Sequence, residues 1–341
     1  MRKRKGAGRP TISDVAAKAG VSTITVSRAL RDPSKVSDHL RRKINNAVRK
    51  LNYVPHSHAS ALASTRSNII GVIVPSLTNN VFADTLRAIY DELYQGAFQV
   101  QLGNSRYVAA DEERLVRTFL SQGPSAMIVA GTDQTDVTRE LLLNAQCPVV
   151  QIMEVGDDPI DMMVGFSHFE GGKAAGMHLL KKGYKRIGFL GARMDPRSHR
   201  RLEGFVEAMR LGGRYEPDLV MTTTASSSVS LGSELIGQLR KRDPDLDAIF
   251  CNNDDLALGA LFGCQKAGIS VPDELGIVGF NDLEMMAASH PSLTSIRTDR
   301  YAIGKRAVEM IKAELEGNLP EEKVVDLGFE LQERESTLRT R

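Results

Sequence analysis

The sequence has little that would tie it to a membrane, a secretory route or a bound metal. No window approaches the ~20 uninterrupted apolar residues that a membrane span needs, and the N-terminus, MRKRKGAGRPTISD, passes from basic to polar residues without an apolar signal core. Cysteine is scarce. Cys147, Cys251 and Cys264 are odd in number, far apart and free of CxxC spacing, which argues against a disulfide framework and a zinc site. They read as reduced, mostly buried thiols of a cytoplasmic protein. With 29 Gly and 13 Pro in 341 residues, neither is in excess, so collagen-like and disordered low-complexity chains are excluded. Enzyme signatures are missing too: there is no GxxxxGK[ST], no GxGxxG, no paired acid and base and no metal cluster, so neither catalysis nor a cofactor is expected. His56 and His58, two apart, lie in a polar stretch without further ligands and read as a solvated loop.

Net charge is also nearly absent at +2, but that figure conceals a split. Residues 1–66 hold 15 Lys plus Arg against three acids (Asp14, Asp32 and Asp38), a net of +12, while the remainder holds 29 against 39, a net of −10. A basic head on an acidic body is the electrostatic footprint of polyanion binding, because each Lys or Arg that neutralises a phosphate releases condensed counterions. The alternative from charge alone is a basic tail on an enzyme.

Patterning turns the tail into a domain, residues 1–54. Thr11 caps a first helix in which Ile12, Val15, Ala16 and Ala19 share one apolar face, and Gly20 stops it. Gly20-Val21-Ser22 then turns the chain into a second helix, Thr23 to Leu30, with Val26 and Leu30 pointing inward; this is helix-turn-helix spacing. A third helix, about Ser37 to Leu51, carries Leu40, Ile44, Ala47, Val48 and Leu51 on one face. In such a unit the start of the second helix meets base edges in the major groove. Arg28 suits a bidentate pair to guanine, Thr23 a hydrogen bond or a thymine methyl, and Ile24 an apolar contact. Ser22, Ser27 and Lys35 are placed for phosphates. The same three helices, without further information, also suit a protein-binding bundle.

The run TISDVAAKAGVSTITVSRALRDPSKVS, followed by KLNYVPHSHASALAS, resembles the DNA-binding head and hinge of the lactose-repressor (LacI/GalR) family of bacterial transcription regulators, and the likeness extends through the chain. The resemblance implies a DNA-binding role for Thr11 as well, and a hinge at 55–67 that becomes helical on the operator. There Leu62, followed by Ala63, matches the leucine that each subunit of a homodimer wedges into the minor groove of palindromic half-sites. His56-Ser57 stands where the family commonly has Asn-Arg. The sign of control, repression or activation, is left open by the residues; the family pattern is repression.

From residue 68 short apolar runs alternate with amphipathic stretches. Ile69 to Val74, Phe98 to Leu102, Ala126 to Ala130, Pro148 to Met153 and Met162 to Phe166 form one series of buried parallel strands. Arg186 to Leu190, Leu219 to Thr222, Ala248 to Cys251 and Gly276 to Phe280 form a second. Two series predict two doubly wound α/β lobes, with ligand at the carboxyl ends of the strands between them. The resemblance implies the same thing, a body (68–327) similar to periplasmic sugar-binding proteins. Lobe 1 then spans about 68–166 and 296–327, lobe 2 about 167–295, and 328–341 is a tail without the leucine heptads of a tetramerising bundle.

Candidate effector residues sit just past the strand ends. They are Pro75, Ser76, Asn79 and Phe82 after the first strand, Glu154 after the fourth and Phe166 after the fifth. In lobe 2, Arg201 of RRLEGF matches the family's ligand-clamping arginine and Asn253 of FCNNDD its hydroxyl-binding asparagine. Asn253 also reads as a helix cap. Asn281 of VGFND stands where many members have an aspartate; an amide there removes a negative charge and favours an anionic ligand, which Arg201 could hold bidentately. PSLTNNVFAD, DMMVGF, FCNNDD and VVDLGF resemble the gluconate and idonate repressor branch, which implies a sugar acid such as gluconate or 2-ketogluconate as effector; a neutral sugar or sugar phosphate is the alternative.

Overall fold

Thr11 and Asp14 hold the start of the first helix in a reciprocal pair. The Thr11 hydroxyl oxygen accepts from the Asp14 N–H (3.3 Å) while Asp14 Oδ2 accepts from the Thr11 N–H and hydroxyl, both at 2.7 Å. This computed structural model describes residues 10–54, 67–318 and 321–339. Helix α1 (Ile12–Ala19) ends at Gly20, whose φ of +66° lies in the left-handed region that a helix stop requires. Ser22 Oγ then caps α2 (Thr23–Arg31) by accepting from the Thr25 N–H at 3.1 Å. After a 3-10 turn, Pro33–Lys35, α3 (Asp38–Leu51) closes the unit. Val15, Ala16 and Ala19 of α1, Val26 and Ala29 of α2, and Ile44 and Ala47 of α3 form its core with Tyr53.

The contacts divide the chain between Ser67 and Asn68. In the second unit the strands are β1 (Ile69–Val74), β2 (Gln99–Asn104), β3 (Ala126–Ala130), β4 (Val149–Ile152), β5 (Met162–Gly165), β6 (Ile187–Ala192), β7 (Val220–Thr223), β8 (Ala248–Cys251), β9 (Gly276–Asn281), β10 (Thr294–Arg297), β11 (Val324–Asp326) and β12 (Glu330–Gln332). Helices α4 (Val81–Leu93), α5 (Ala109–Leu120), α6 (Asp136–Leu143), α7 (His168–Lys181), α8 (Pro196–Leu211), α9 (Val229–Arg242), α10 (Asp254–Ala267), α11 (Glu284–Ala288) and α12 (Arg300–Leu315) join them. No helix among the described residues is long and apolar enough to cross a membrane.

Two six-stranded sheets result, β11-β5-β4-β3-β1-β2 and β12-β10-β9-β8-β6-β7. The first is parallel throughout, and the second is parallel but for β12, which runs antiparallel to β10. Strands such as IIGVIV of β1 are apolar without alternation because helices cover both faces of a parallel sheet. α12 returns to the first lobe, where Thr85 of α4 donates its hydroxyl to the Arg300 carbonyl (2.9 Å).

Three short strands escape the sequence pattern. β10 extends the second sheet to Arg297, so the chain leaves that lobe later than residue 295. β11 adds an edge to the first sheet. Residues 328–341 do not form a separate tail: β12 pairs with β10, and Ser336 and Thr337 are buried. The Ser336 hydroxyl donates to the Ile277 carbonyl (2.6 Å), and Thr337 Oγ1 is bonded to Thr294 (2.8 Å) and to His178 Nε2 (2.9 Å). The segment is held by satisfied hydroxyls rather than by apolar periodicity, which is why a hydrophobic pattern does not reveal it.

Helices α7 and α8 meet backbone to backbone. A Cβ built on Gly172 would lie 2.1 Å from the Arg201 carbonyl oxygen, and one on Gly204 would lie 1.9 Å from that of Phe169. The two glycines therefore set how deeply α8 sits in lobe 2. Gly204→Ala should force the helices apart and lower stability by about 1–3 kcal/mol, read by chemical denaturation; an unchanged midpoint would mean that the contact does not constrain the lobe.

Candidate functional site

On the head, Thr23, Ile24, Ser27, Arg28 and Lys35 line one open hollow. Ile24 is 68% exposed and lies outside the head's apolar core. Arg28 is exposed one turn along the same helix. Lys35 Nζ pairs with Asp32 at 3.0 Å, an exposed contact that is easily exchanged for a phosphate. Thr11 and Ser22 are spent as helix caps, so what they present to a phosphate is the amide-rich start of α1 and α2 rather than a free hydroxyl. Leu62 and Ala63 lie outside the described residues.

In the body each sheet has a point where neighbouring strands lead to opposite directions of winding, between β1 and β3 in lobe 1 and between β6 and β8 in lobe 2. Ligands bind outside the carboxyl ends of strands at such points. A cavity sits over the lobe-2 point. Asn79, Phe82, Arg201, Asn253 and Asn281, all expected from the sequence, line it together with Tyr107, Arg193, Arg197 and Asp195. Pro75 instead lines an adjoining cavity over the lobe-1 point. Ser76, Glu154 and Phe166 line neither. Ser76 Oγ accepts from the Thr78 and Asn79 N–H groups (3.2 and 3.0 Å) and shapes the loop. Phe166 is fully buried with its ring edge-on to His168 at 4.4 Å.

Arg201 is the most constrained group of the cavity. Its guanidinium lies 3.8 Å from the centroid of Phe280, donates Nε–H to His168 Nδ1 (3.1 Å) and donates Nη1 to the Asn252 carbonyl. Since His168 Nδ1 accepts, its proton sits on Nε2 and is donated to the Met153 carbonyl at 3.0 Å. Burial, then Arg201 and Arg197, hold His168 well below the usual histidine range, so the ring is neutral. Burial lowers Arg201 to about 10, against the pull of Asp195, and it remains a cation at neutral pH.

Arg197, covering Phe82 and Tyr107, pairs with Asp195 at 3.2 Å. Arg193 stacks 4.3 Å from the centroid of Tyr107 and has no carboxylate partner among the described residues. Asn253 Oδ1 caps α10 through the Leu256 N–H (3.1 Å) and accepts from the Ser227 hydroxyl (2.8 Å), leaving its amide NH2 to face the cavity. Asn281 is buried at a left-handed φ of 109°, with Oδ1 unpartnered. Asn79 donates to the Tyr107 hydroxyl at 3.2 Å.

Sequence reading overlooked Tyr107, His168, Arg193, Asp195 and Arg197. Three of them carry a signal: Arg193, Asp195 and Arg197 directly follow an apolar strand, as Glu154 does. Outside the cavity, Arg200 of α8 spans the lobes, binding Asp133 and, at 2.9 Å, Glu154.

Residues 11–56 match the model for bacterial regulatory proteins of the lacI family, and residues 177–337 match that for the periplasmic binding protein-like domain. The HTH-type transcriptional regulator GntR of Pseudomonas aeruginosa is 42% identical over 330 residues, 97% of this chain and 96% of that protein. The chain belongs to the LacI family. A LacI-family regulator from Silicibacter pomeroyi superposes with a TM-score of 0.91 at 36% identity, covering 97% of this chain and all of the other. The lac repressor dimer, solved bound to operator and the anti-inducer ONPF, gives 0.81 at 26% identity, again over 97% of this chain and all of the other. As a LacI-family protein the chain is a DNA-binding transcription regulator with an N-terminal helix-turn-helix domain.

Burial raises the Glu154 carboxyl from 4.5 to about 7, outweighing Arg200 beside it. A carboxyl raised on folding binds more protons in the native than in the unfolded state between those two values, so its contribution to stability falls as pH rises from 4.5 to 7. Glu154→Gln should remove this slope, on the order of 2–3 kcal/mol across the interval. Denaturant titrations at pH 5 and pH 7 test it; an unaltered slope in the variant would assign the pH dependence to other groups.

Proposed function

We propose that this regulator represses genes for the use of a sugar acid and releases its operator when that acid enters the cleft between the lobes. The observation that carries the reading is the charge of the lobe-2 cavity: three guanidiniums, Arg193, Arg197 and Arg201, converge on it against one carboxylate, Asp195. Such a lining favours a carboxylate, and Arg201 offers the planar donor geometry that binds one in two places. Asn79, Asn253 and Asn281 supply amide donors and acceptors for hydroxyls, and Phe82 a flat apolar face. The resemblance to the gluconate and idonate repressor branch points to the same ligand class.

On the DNA side, Arg28 reads a guanine, Thr23 and Ile24 contact neighbouring base edges, and Thr11, Ser22, Ser27 and Lys35 set the phosphate register. A homodimer reads two palindromic half-sites, since one short helix covers too few bases for a specific site. Leu62 and Ala63, by resemblance, supply the minor-groove wedge. The effector shifts operator affinity only by its unequal affinity for the two states of the body, commonly ~1–3 kcal/mol of coupling.

Arg28→Ala should weaken operator binding by about 1–3 kcal/mol and relax preference at one base pair per half-site, measured by titrating operator variants. A uniform loss on every sequence would assign Arg28 to a phosphate. Arg201→Ala should keep operator binding and abolish release by gluconate in a fluorescence anisotropy assay. Loss of operator binding in that variant would make Arg201 a structural brace, and release of the wild-type protein by neutral hexoses but not sugar acids would overturn the anionic effector.

A further inference from the structure

The turn that presents Asn281 to the lobe-2 cavity is held from outside the cavity. Asn281 and Asp282 stand in succession at left-handed φ values of 109° and 52°, a backbone that two non-glycine residues keep only when their surroundings impose it. Most of those surroundings belong to lobe 2. The Asp282 N–H donates to Ser295 Oγ (3.1 Å), the Leu283 N–H donates to Asp254 Oδ2 (2.7 Å), and the Asp282 carboxylate pairs with Arg297 (2.9 Å) and Arg334 (2.7 Å). One partner comes from lobe 1: the Asn281 carbonyl accepts from Nη1 of Arg300, the first residue of α12.

Arg300 is fixed to lobe 1 at its other end. Helix α12 packs on α4 so closely that a Cβ on Gly304 would lie 2.3 Å from the Thr85 carbonyl oxygen, and the Thr85 hydroxyl donates to the Arg300 carbonyl at 2.9 Å. Arg300 Nη2 donates to Asp84 Oδ2 at 3.1 Å, in the first turn of α4. The same turn carries Val81 and Phe82, which line the cavity that Asn281 lines. Arg300 itself lines neither cavity. A guanidinium presents its donors in a rigid fork, so one that serves the Asn281 carbonyl and the Asp84 carboxylate together sets the distance between them.

We propose that Arg300 is a positioning residue for effector recognition: it holds the 281–282 turn of lobe 2 to the start of α4 in lobe 1, and so sets Asn281 at a defined distance from Phe82. It acts through these residues and not on the effector. The Asn281 side chain is thereby kept with its Oδ1 buried and unpartnered among the described residues, an acceptor that a ligand hydroxyl can satisfy. A lysine at 300 would keep the charge but lose the fork. This inference rests on the reading above that the effector occupies the lobe-2 cavity.

Hydrogen/deuterium exchange of the full-length protein over residues 280–284, together with gluconate and operator titrations, tests it. Arg300→Lys and Asp84→Asn should each speed exchange of the Asp282 and Leu283 amides about threefold or more. Each should weaken gluconate binding about five- to tenfold, the equivalent of one hydrogen bond, while operator binding without effector stays within about twofold. Asp91→Asn removes a different contact between the same two helices, the bond from the Tyr301 hydroxyl (3.1 Å), and should change none of these. Unaltered exchange of both amides in both variants would overturn the positioning role. Equal losses of gluconate and operator binding would overturn it as well, making Arg300 a general support of the fold. If gluconate does not bind the wild-type protein, the anionic effector falls, and the exchange rates set against those of Asp91→Asn decide whether Arg300 holds the turn.

Discussion

The contact on which the body's binding chemistry depends is the packing of the Arg201 guanidinium on the Phe280 ring. A cation removed from water requires compensation, and here it comes from three directions: the π face of Phe280, the neutral His168 Nδ1 and the Asn252 carbonyl. None of these partners is an anion. The charge is therefore retained without being neutralised, and it remains available to a carboxylate. Phe280 lies in β9, His168 opens α7, Asn252 follows β8 and Arg201 lies on α8. One side chain thus requires four elements of lobe 2 to be in register.

That register rests on small residues. Gly172 and Gly204 let α7 and α8 approach until a carbonyl of one helix lies where the other has no Cβ. Gly232 and Gly259 do the same for α9 and α10, with Cβ positions 2.4 Å from the Leu256 carbonyl oxygen and 2.0 Å from that of Val229. Close helix pairs on each side of the second sheet make lobe 2 a rigid platform. Across the cleft the contacts are of another kind. Arg200 reaches from α8 to Asp133 and Glu154, and Arg300 of α12 reaches the Asn281 carbonyl and, at 3.1 Å, Asp84 of α4. Charged groups at a partly wet cleft exchange partners far more cheaply than interlocked backbones separate.

The arginines also explain why the two switch-point cavities differ. Arg193 and Arg197 leave the end of β6 and α8 towards lobe 2's side of the cleft, whereas Glu112, at the start of α5, stays beneath lobe 1. Tyr107 and Arg197 stand between them.

Much of this is legible in the sequence. The capping box at Thr11, the stop at Gly20 and the spacing of Val15, Ala19, Val26 and Ile44 specify a three-helix head because local periodicity and cap chemistry act within a few residues. The unbroken apolar runs at 69–74, 126–130 and 276–280 likewise announce buried parallel strands. What tertiary structure alone decided was the assembly of the cleft. Asn79, Arg201, Asn253 and Asn281 are marked by their strand ends, but Tyr107 and Arg197 become one wall only after two separate sheets bring their carboxyl ends together. The C-terminal residues join the second sheet through hydroxyls that no hydrophobic pattern records. Helix caps and core faces are encoded by neighbours in the chain, whereas a binding site is made by residues 80 or 200 positions apart, whose proximity is set by the packing of the whole.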